Sequence, residues 1–243
     1  MQFSSPTVIG TIHKRYKRFL ADIELSNGEI ITAHTANTGS MQSCWAPGWE
    51  VLLSYHNNPK RKLKYSLEMT HNSHSWIGVN TSRTNALAKE ALLKGVVTEF
   101  PQIKDIQSEV TVGESRLDFC VYDLQDETIY IEVKNVTLKE RDGFCTFPDS
   151  VSTRGQKHLQ TLRDLVQKGH RAAMLYIVQR EDCHTFSPAY EFDPVYAELL
   201  EEAYREGVQI LVYDCRLGPE GIEVSKAIPF TFMKEDGSFW GPA

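Results

Sequence analysis

The chain is expected to fold as a small all-β barrel of the OB type followed by an α/β domain built on a mixed sheet. Three observations carry this expectation. Residues 1–80 hold five short strand-like runs separated by Gly, Asn and Pro turns, with no helical period. From Asn80 onward the order becomes helix, three strands, helix, strand, helix, strand. Residues 171–179 are nearly all apolar, as a central strand covered on both faces requires. The boundary is placed between residues 80 and 81.

In the first part, strands are expected at 7–14, 18–25, 30–34, 51–55 and 64–70. Ser26-Asn27-Gly28 is a tight-turn signal, and Asn37-Thr38-Gly39 and Ala46-Pro47-Gly48 are loop chemistry. Other small barrels would leave the same trace. His71-Asn72-Ser73-His74 reads as a polar connector, because no further metal-ligating residues stand near it.

In the second part, residues 84–94 have helical period, with Ala86, Leu87, Ala91 and Leu93 available for burial and Gly95 as C-cap. A strand follows near 106–112, then two runs, 116–122 and 130–134, joined by a polar turn about Gln125-Asp126. The Gly-, Phe- and Pro-containing stretch after them reads as a loop. A second helix is expected over 153–168, ended by Gly169, with Leu159, Leu162 and Val166 on one stripe. Asp193-Pro194 starts a third helix, N-cap then Pro at the first turn, and residues 208–213 form another buried strand. The tail from 234 to 243 is polar and is expected to be loosely held.

Composition narrows the function. With 41% hydrophobic and 24% charged residues the chain has the make-up of a soluble globular protein. No run is apolar enough to cross a bilayer and the start has no signal-peptide pattern, so a cytoplasmic location without membrane contact is expected. The cysteines at 44, 120, 145, 183 and 215 are odd in number and lack any Cys-x-x-Cys, which suits reduced thiols and argues against structural zinc. The net charge of −6 excludes a general nucleic-acid coat but hides an asymmetry. Residues 1–80 carry 8 Lys+Arg against 5 Asp+Glu, and residues 81–243 carry 18 against 27. Two clusters in the basic part mix cations with aromatics: Lys14, Arg15, Tyr16, Lys17, Arg18, Phe19, and Lys60, Arg61, Lys62, Lys64, Tyr65. That mixture suits a phosphate backbone with stacked bases; the alternative is a solvated face over core aromatics.

The most informative feature is Glu132-Val133-Lys134 within an apolar run. Side chains alternate along a strand, so Glu132 and Lys134 share one face while Ile131 and Val133 take the other. A hairpin about Gln125-Asp126 brings Asp118 to within about one residue of Glu132. Two carboxylates and a lysine then converge, as a metal-dependent phosphodiesterase site requires: oxygen ligands for a hard divalent cation and a lysine for a phosphate or a water. The alternative is a solvated strand face with a weak ion pair.

The helix–three-strand–helix–strand order, with an acid on the second strand and Glu-x-Lys on the third, resembles the core of the PD-(D/E)XK nuclease superfamily. Within it the chain resembles the sugar fermentation stimulation protein A family. The blocks that carry the likeness include Asn37-Thr38-Gly39, Arg116-Leu117-Asp118-Phe119, Glu132-Val133-Lys134-Asn135, Phe147-Pro148-Asp149 and Arg154-Gly155-Gln156-Lys157-His158. The resemblance implies an OB-type domain, a nuclease-like domain and DNA binding. It makes Asp118 and Glu132 metal ligands, with the Val133 carbonyl as a third oxygen, and Lys134 the lysine of the motif. It adds Glu90 as a further metal-binding acid, with a plain surface acid as the alternative. Gln156 is implied at a phosphate or in the metal shell, although Thr153 to Gln156 also reads as a capping box. Leu117 stands where a proline precedes the first acid.

The expected function is a DNA-binding protein with a Mg²⁺-dependent nuclease site, Mn²⁺ being an alternative metal. The rival is a DNA-binding regulator of sugar (maltose) metabolism that uses the same fold without turnover. RNA as substrate and a homodimer are both left open.

Overall fold

A computed structural model of the chain describes residues 1–100, 102–125, 127–141, 143–233 and 238–241. The first strands form a closed barrel: β1 (Thr7–Tyr16), β2 (Leu20–Leu25), β3 (Ile30–Thr35), β4 (Glu50–Tyr55) and β5 (Tyr65–His71). Antiparallel pairs join β1 to β2 and β4, β2 to β3, and β4 to β5; a parallel β3–β5 pair closes the ring. This is the OB arrangement expected from the sequence. Its interior is apolar, with Ile12, Ile23, Ala33, Leu53 and Leu67 all fully buried. A short sixth strand, β6 (Trp76–Gly78), adds to β5.

A turn of 3₁₀ helix at Thr81–Arg83 leads into α1 (Thr84–Leu93). Then come β7 (Ile103–Val112), β8 (Ser115–Asp123), β9 (Thr128–Val136), β10 (Leu138–Arg141), β11 (Gly143–Phe147) and α2 (Thr153–Gln167). The chain continues through β12 (Arg171–Val178), β13 (Cys183–Pro188), α3 (Pro194–Arg205), β14 (Gln209–Gly218), β15 (Gly221–Ala227), β16 (Phe232–Met233) and β17 (Phe239–Trp240). The main sheet has the order β15-β14-β12-β9-β8-β7, with β12 parallel to both β9 and β14 and the other pairs antiparallel. The α/β domain with a mixed sheet is therefore as the sequence predicts.

Several elements differ from the sequence expectation. Residues 138–147, read as loop, form β10 and β11, which pair antiparallel with each other while β11 also pairs in parallel with the distant β13. On α1, Ala88 and Leu92 are buried with Leu87 and Ala91, while Leu93 is 63% exposed: the buried stripe lies on a different phase of the helix from the one read off the sequence. The N-cap of α2 is Ser152 rather than Thr153; its side chain accepts from Gly155 N. The tail is not loose at its described end: β16 pairs with β17, and Trp240 stacks on Phe232 with centroids 4.6 Å apart. Asp126 and positions 234–237, 242 and 243 lie outside the described residues. All five cysteines are free and buried. No helix among the described residues is long and apolar enough to cross a membrane.

The two parts are fused rather than tethered. Leu52 and Met69 of the barrel share one core with α1 and the main sheet. Arg180, 2% exposed, donates to the carbonyls of Ser43 (2.9 Å) and Thr137 (2.8 Å) and forms a two-pronged pair with Asp182. Ser43 belongs to the barrel and Thr137 follows β9, so this one guanidinium ties the parts together. Burial opposes the Asp182 charge, yet Arg180 and Lys139 pull its pKa from 3.8 down to about 2. A carboxyl depressed in the fold adds stability above its unfolded pKa and loses it as pH falls through the folded one. Asp182→Asn should therefore cost about 2 kcal/mol at pH 7 and much less near pH 2, measured by urea denaturation at both values. Arg180→Ala should cost more, about 3 kcal/mol, by leaving Asp182 without its two-pronged partner and removing a donor from two carbonyls.

Candidate active site

Asp118 and Glu132 meet where two strands part. The β8–β9 ladder runs from Tyr122↔Thr128 to Phe119↔Ile131 and stops there, one step short of placing Asp118 opposite Glu132. On its other side β8 stays paired with β7 as far as Ser115. The Val133 amide, which continued pairing would have given to a backbone carbonyl, instead donates to Asp118 Oδ2 at 2.8 Å. Asn85, from the first turn of α1, donates to Asp118 Oδ1 at 2.7 Å. Burial and the Glu132 charge push the Asp118 pKa up, and these two bonds only partly offset the push.

Glu132 is 2% exposed on β9. Its Oε1 accepts from Lys134 Nζ at 2.6 Å and from His158 Nδ1 on α2. Burial alone would raise its pKa, but the bonds and charges of His158 and Lys134 hold it below the ordinary value. On its far side His158 Nε2 lies 3.5 Å from Arg154 Nε. Glu132 Oε2 is buried and has no hydrogen-bond partner among the described residues. An ionised oxygen left bare in the interior is costly unless a cation meets it.

The donor set fits a hard divalent metal of the Mg²⁺ type on that ground. Glu132 Oε2 is free, and each Asp118 oxygen has a second lone pair beyond its one hydrogen bond. Among the described residues no group of three or more His, Cys, Asp and Glu side chains could hold a metal alone. Two carboxylates suit Mg²⁺, which keeps most of its waters.

The other residues singled out in the sequence are placed as follows. Glu90 does not join this cluster: its Oε1 accepts from the Met1 amino group (3.1 Å) and Lys94 (2.7 Å). Gln156 serves neither a capping box nor the cluster, since its Nε2 donates to Asp193 Oδ1 at 2.9 Å and so ties α2 to the N-cap of α3. Arg15 turns inwards, donating from Nη2 to the carbonyls of Arg18, Asn37 (2.8 Å) and Gly39 (2.9 Å). Arg18 Nε donates to Thr38 O at 3.0 Å. These arginines brace the 37–39 loop, and the charge count could not distinguish that from a surface role. Lys14 pairs with Asp22, which also accepts from Tyr16. Arg61 donates to Ser66, while Lys17, Lys60 and Lys62 are exposed.

The family models bear on the whole arrangement. A sugar fermentation stimulation protein RE domain matches residues 82–221, and the SfsA N-terminal OB domain matches residues 14–79. The chain belongs to the sugar fermentation stimulation protein family. The homolog of Syntrophotalea carbinolica is 47% identical over 230 residues, covering 94% of this chain and 98% of that one. That of Citrifermentans bemidjiense is 45% identical over 230 residues, with 94% and 99% covered. Among solved structures, Pyrococcus furiosus SfsA in complex with Ca²⁺ is 26% identical, covers 95% of this chain and 97% of its own, and superposes with a TM-score of 0.85.

Two contacts of this family member's site were missed from sequence. Asn85 lies 33 residues from Asp118, and His158 lies 26 from Glu132. The available signal was a polar residue on the core-facing stripe of α2, His158 next to Leu159; Asn85 is exposed at the start of α1 and offered none. Because the ionised Asp118 is disfavoured by the fold, it costs stability once pH rises above its ordinary 3.8. Asp118→Asn should stabilise the metal-free protein by about 0.5–2 kcal/mol at pH 7, with the gain disappearing below pH 4 in thermal melts.

Proposed function

We propose that this protein is a Mg²⁺-dependent phosphodiesterase acting on DNA, with Mn²⁺ as a substitute metal. The observation that carries this reading is the buried, unpartnered Oε2 of Glu132 beside Asp118 at the point where β8 and β9 separate. The Ca²⁺ complex of the Pyrococcus furiosus relative supports a divalent cation, since Ca²⁺ and Mg²⁺ both take oxygen ligands. Asp118 and Glu132 would hold the metal, which supplies charge stabilisation at a phosphate and a more acidic bound water.

The chain's own residues do the rest. Asn85 and the Val133 amide fix the Asp118 carboxylate, so its orientation is set before any ligand arrives. His158 holds Glu132 from the α2 side. Lys134, with 14% of its side chain exposed, can leave Glu132 to meet a phosphate oxygen or orient the attacking water.

DNA as substrate is supported by where the two basic clusters fall. Lys17 and Arg18 form the β1–β2 turn and Lys60 to Lys62 lie in the β4–β5 loop, the two loops with which OB barrels grip strands. Strand β3 runs between them, since Thr35 N bonds Phe19 O while Ala33 pairs with Tyr65.

Labelled single-stranded and duplex DNA should be cut with Mg²⁺ or Mn²⁺ and left intact in EDTA. Lys134→Ala should slow cutting by about 10²-fold or more, and Asp118→Ala should abolish it. DNA binding without any metal-dependent product would instead identify a non-catalytic regulator. Binding should weaken steeply with salt, and replacing Lys60 and Lys62 together should lower the log–log slope by about 2. An unchanged slope would remove that loop from the interface.

A further inference from the structure

Two motifs singled out in the sequence have no part in the metal cluster, and the fold brings them face to face. Asn37-Thr38-Gly39 lies on the barrel side and Phe147-Pro148-Asp149 on the other side of a cleft of about 320 Å³ between the two parts. The loop's shape is heavily specified. Arg15 holds the Asn37 and Gly39 carbonyls, Arg18 holds the Thr38 carbonyl, and Asn37 Oδ1 accepts from Gly39 N at 2.8 Å. Across the gap, Asp149 Oδ2 accepts from Ser40 N (2.8 Å) and Ser40 Oγ (3.2 Å). A Cβ on Gly39 would fall 2.3 Å from that oxygen, so a larger residue there would push the Asp149 carboxylate away from Ser40.

The lining says what could enter. It is mainly amides and hydroxyls, among them Asn37, Thr38, Asn135 and Ser150, with Phe147 and Pro148 as apolar wall. Its one carboxylate, Asp149, turns Oδ2 to Ser40 of the barrel side. Its one cation is Arg18, whose side chain makes a described hydrogen bond only through Nε, so the two Nη groups remain for an anion. Amide and hydroxyl edges, an apolar wall and a guanidinium at the rim match a heterocyclic base with its phosphate. The volume, at the small end of ligand pockets, admits one nucleotide and not a base pair within a duplex.

The cleft also lies beside the cluster. Asn135 follows Lys134 on β9, one strand step of about 3.3 Å further along with its side chain on the other face, so the cleft and the cluster share the strand's backbone at this point. Ser152, which caps α2, borders the cleft, and α2 carries His158 to Glu132. We propose that this cleft receives a single unpaired nucleotide of DNA adjoining the phosphate presented to Lys134. This rests on the phosphodiesterase reading above and narrows its substrate to DNA with an unpaired nucleotide at the cut.

The test is binding in EDTA, which needs no turnover. Fluorescence anisotropy would compare a fully paired duplex, the same duplex with one extra unpaired nucleotide, and a single strand. The native chain should bind the bulged duplex about tenfold tighter than the paired one, the size of one base-stacking contribution. Thr38→Leu and Ser150→Leu fill the cleft from exposed positions without adding a ring or a charge. Each should bring that ratio to about one while leaving paired-duplex affinity within about twofold. Equal affinity of the native chain for both duplexes, or a ratio kept in both variants, would overturn the cleft assignment alone. Failure to bind any of the three DNAs would overturn the DNA reading with it. A kept preference without metal-dependent cleavage would leave the cleft standing and remove the catalytic reading.

Discussion

The site depends on one hydrogen bond, from the Val133 amide to the Asp118 carboxylate. It lets the β8–β9 ladder end in the middle of a sheet without orphaning a buried donor, a loss that would otherwise cost about 1–3 kcal/mol. Once the ladder ends, β8 follows β7 and leaves β9 beside β12, and a gap opens in which two carboxylates can sit. The same bond draws Asp118 into the low-dielectric region beside Glu132, which raises its pKa. Strand separation and electrostatic strain are therefore two results of a single substitution of side chain for backbone.

That strain is shared unequally between the two acids. Glu132 is the more buried, yet it is the one held ionised, because His158 and Lys134 both donate to it. Asp118 receives only neutral donors, Val133 N and Asn85, and is left disfavoured. A divalent cation between them would relieve both the Asp118–Glu132 repulsion and the bare Glu132 oxygen. The arrangement is thus least comfortable without the ligand it is suited to, as sites kept for chemistry tend to be.

What was legible in the sequence follows the range of each interaction. The Asp118–Glu132 meeting depends on counting along one hairpin, and the observed register ends at Phe119↔Ile131, one step before the two. The cap of α3 at Asp193-Pro194 is equally local. By contrast, β11 lies between β10 and β13, and nothing within Gly143–Phe147 announces the parallel partner about 40 residues away. Gln156 shows how a local pattern misleads. The cap lies one residue earlier at Ser152, which frees the Gln156 amide for Asp193 on another helix. Arg15 shows the same for charge, because composition records a cation but not the three carbonyls that gather round it.

Those carbonyls explain why the barrel and the α/β domain have to be considered together. Arg15 shapes the 37–39 loop from the barrel side, Asp149 receives the next residue, Ser40, from the other, and Arg180 locks Ser43 to Thr137. A hinge between the parts would have to break the Asp149–Ser40 and Arg180–Ser43 bonds and split the core that Leu52 and Met69 share with α1. Charge-assisted bonds contribute about 1.5–3 kcal/mol each, so opening would absorb much of a domain's total stability. The basic loops of the barrel therefore stand at a fixed distance from Lys134. On the proposed reading, a strand held by the barrel would be presented to the cluster in a set position, and positioning of that kind is where much of the rate of a phosphoryl-transfer site originates.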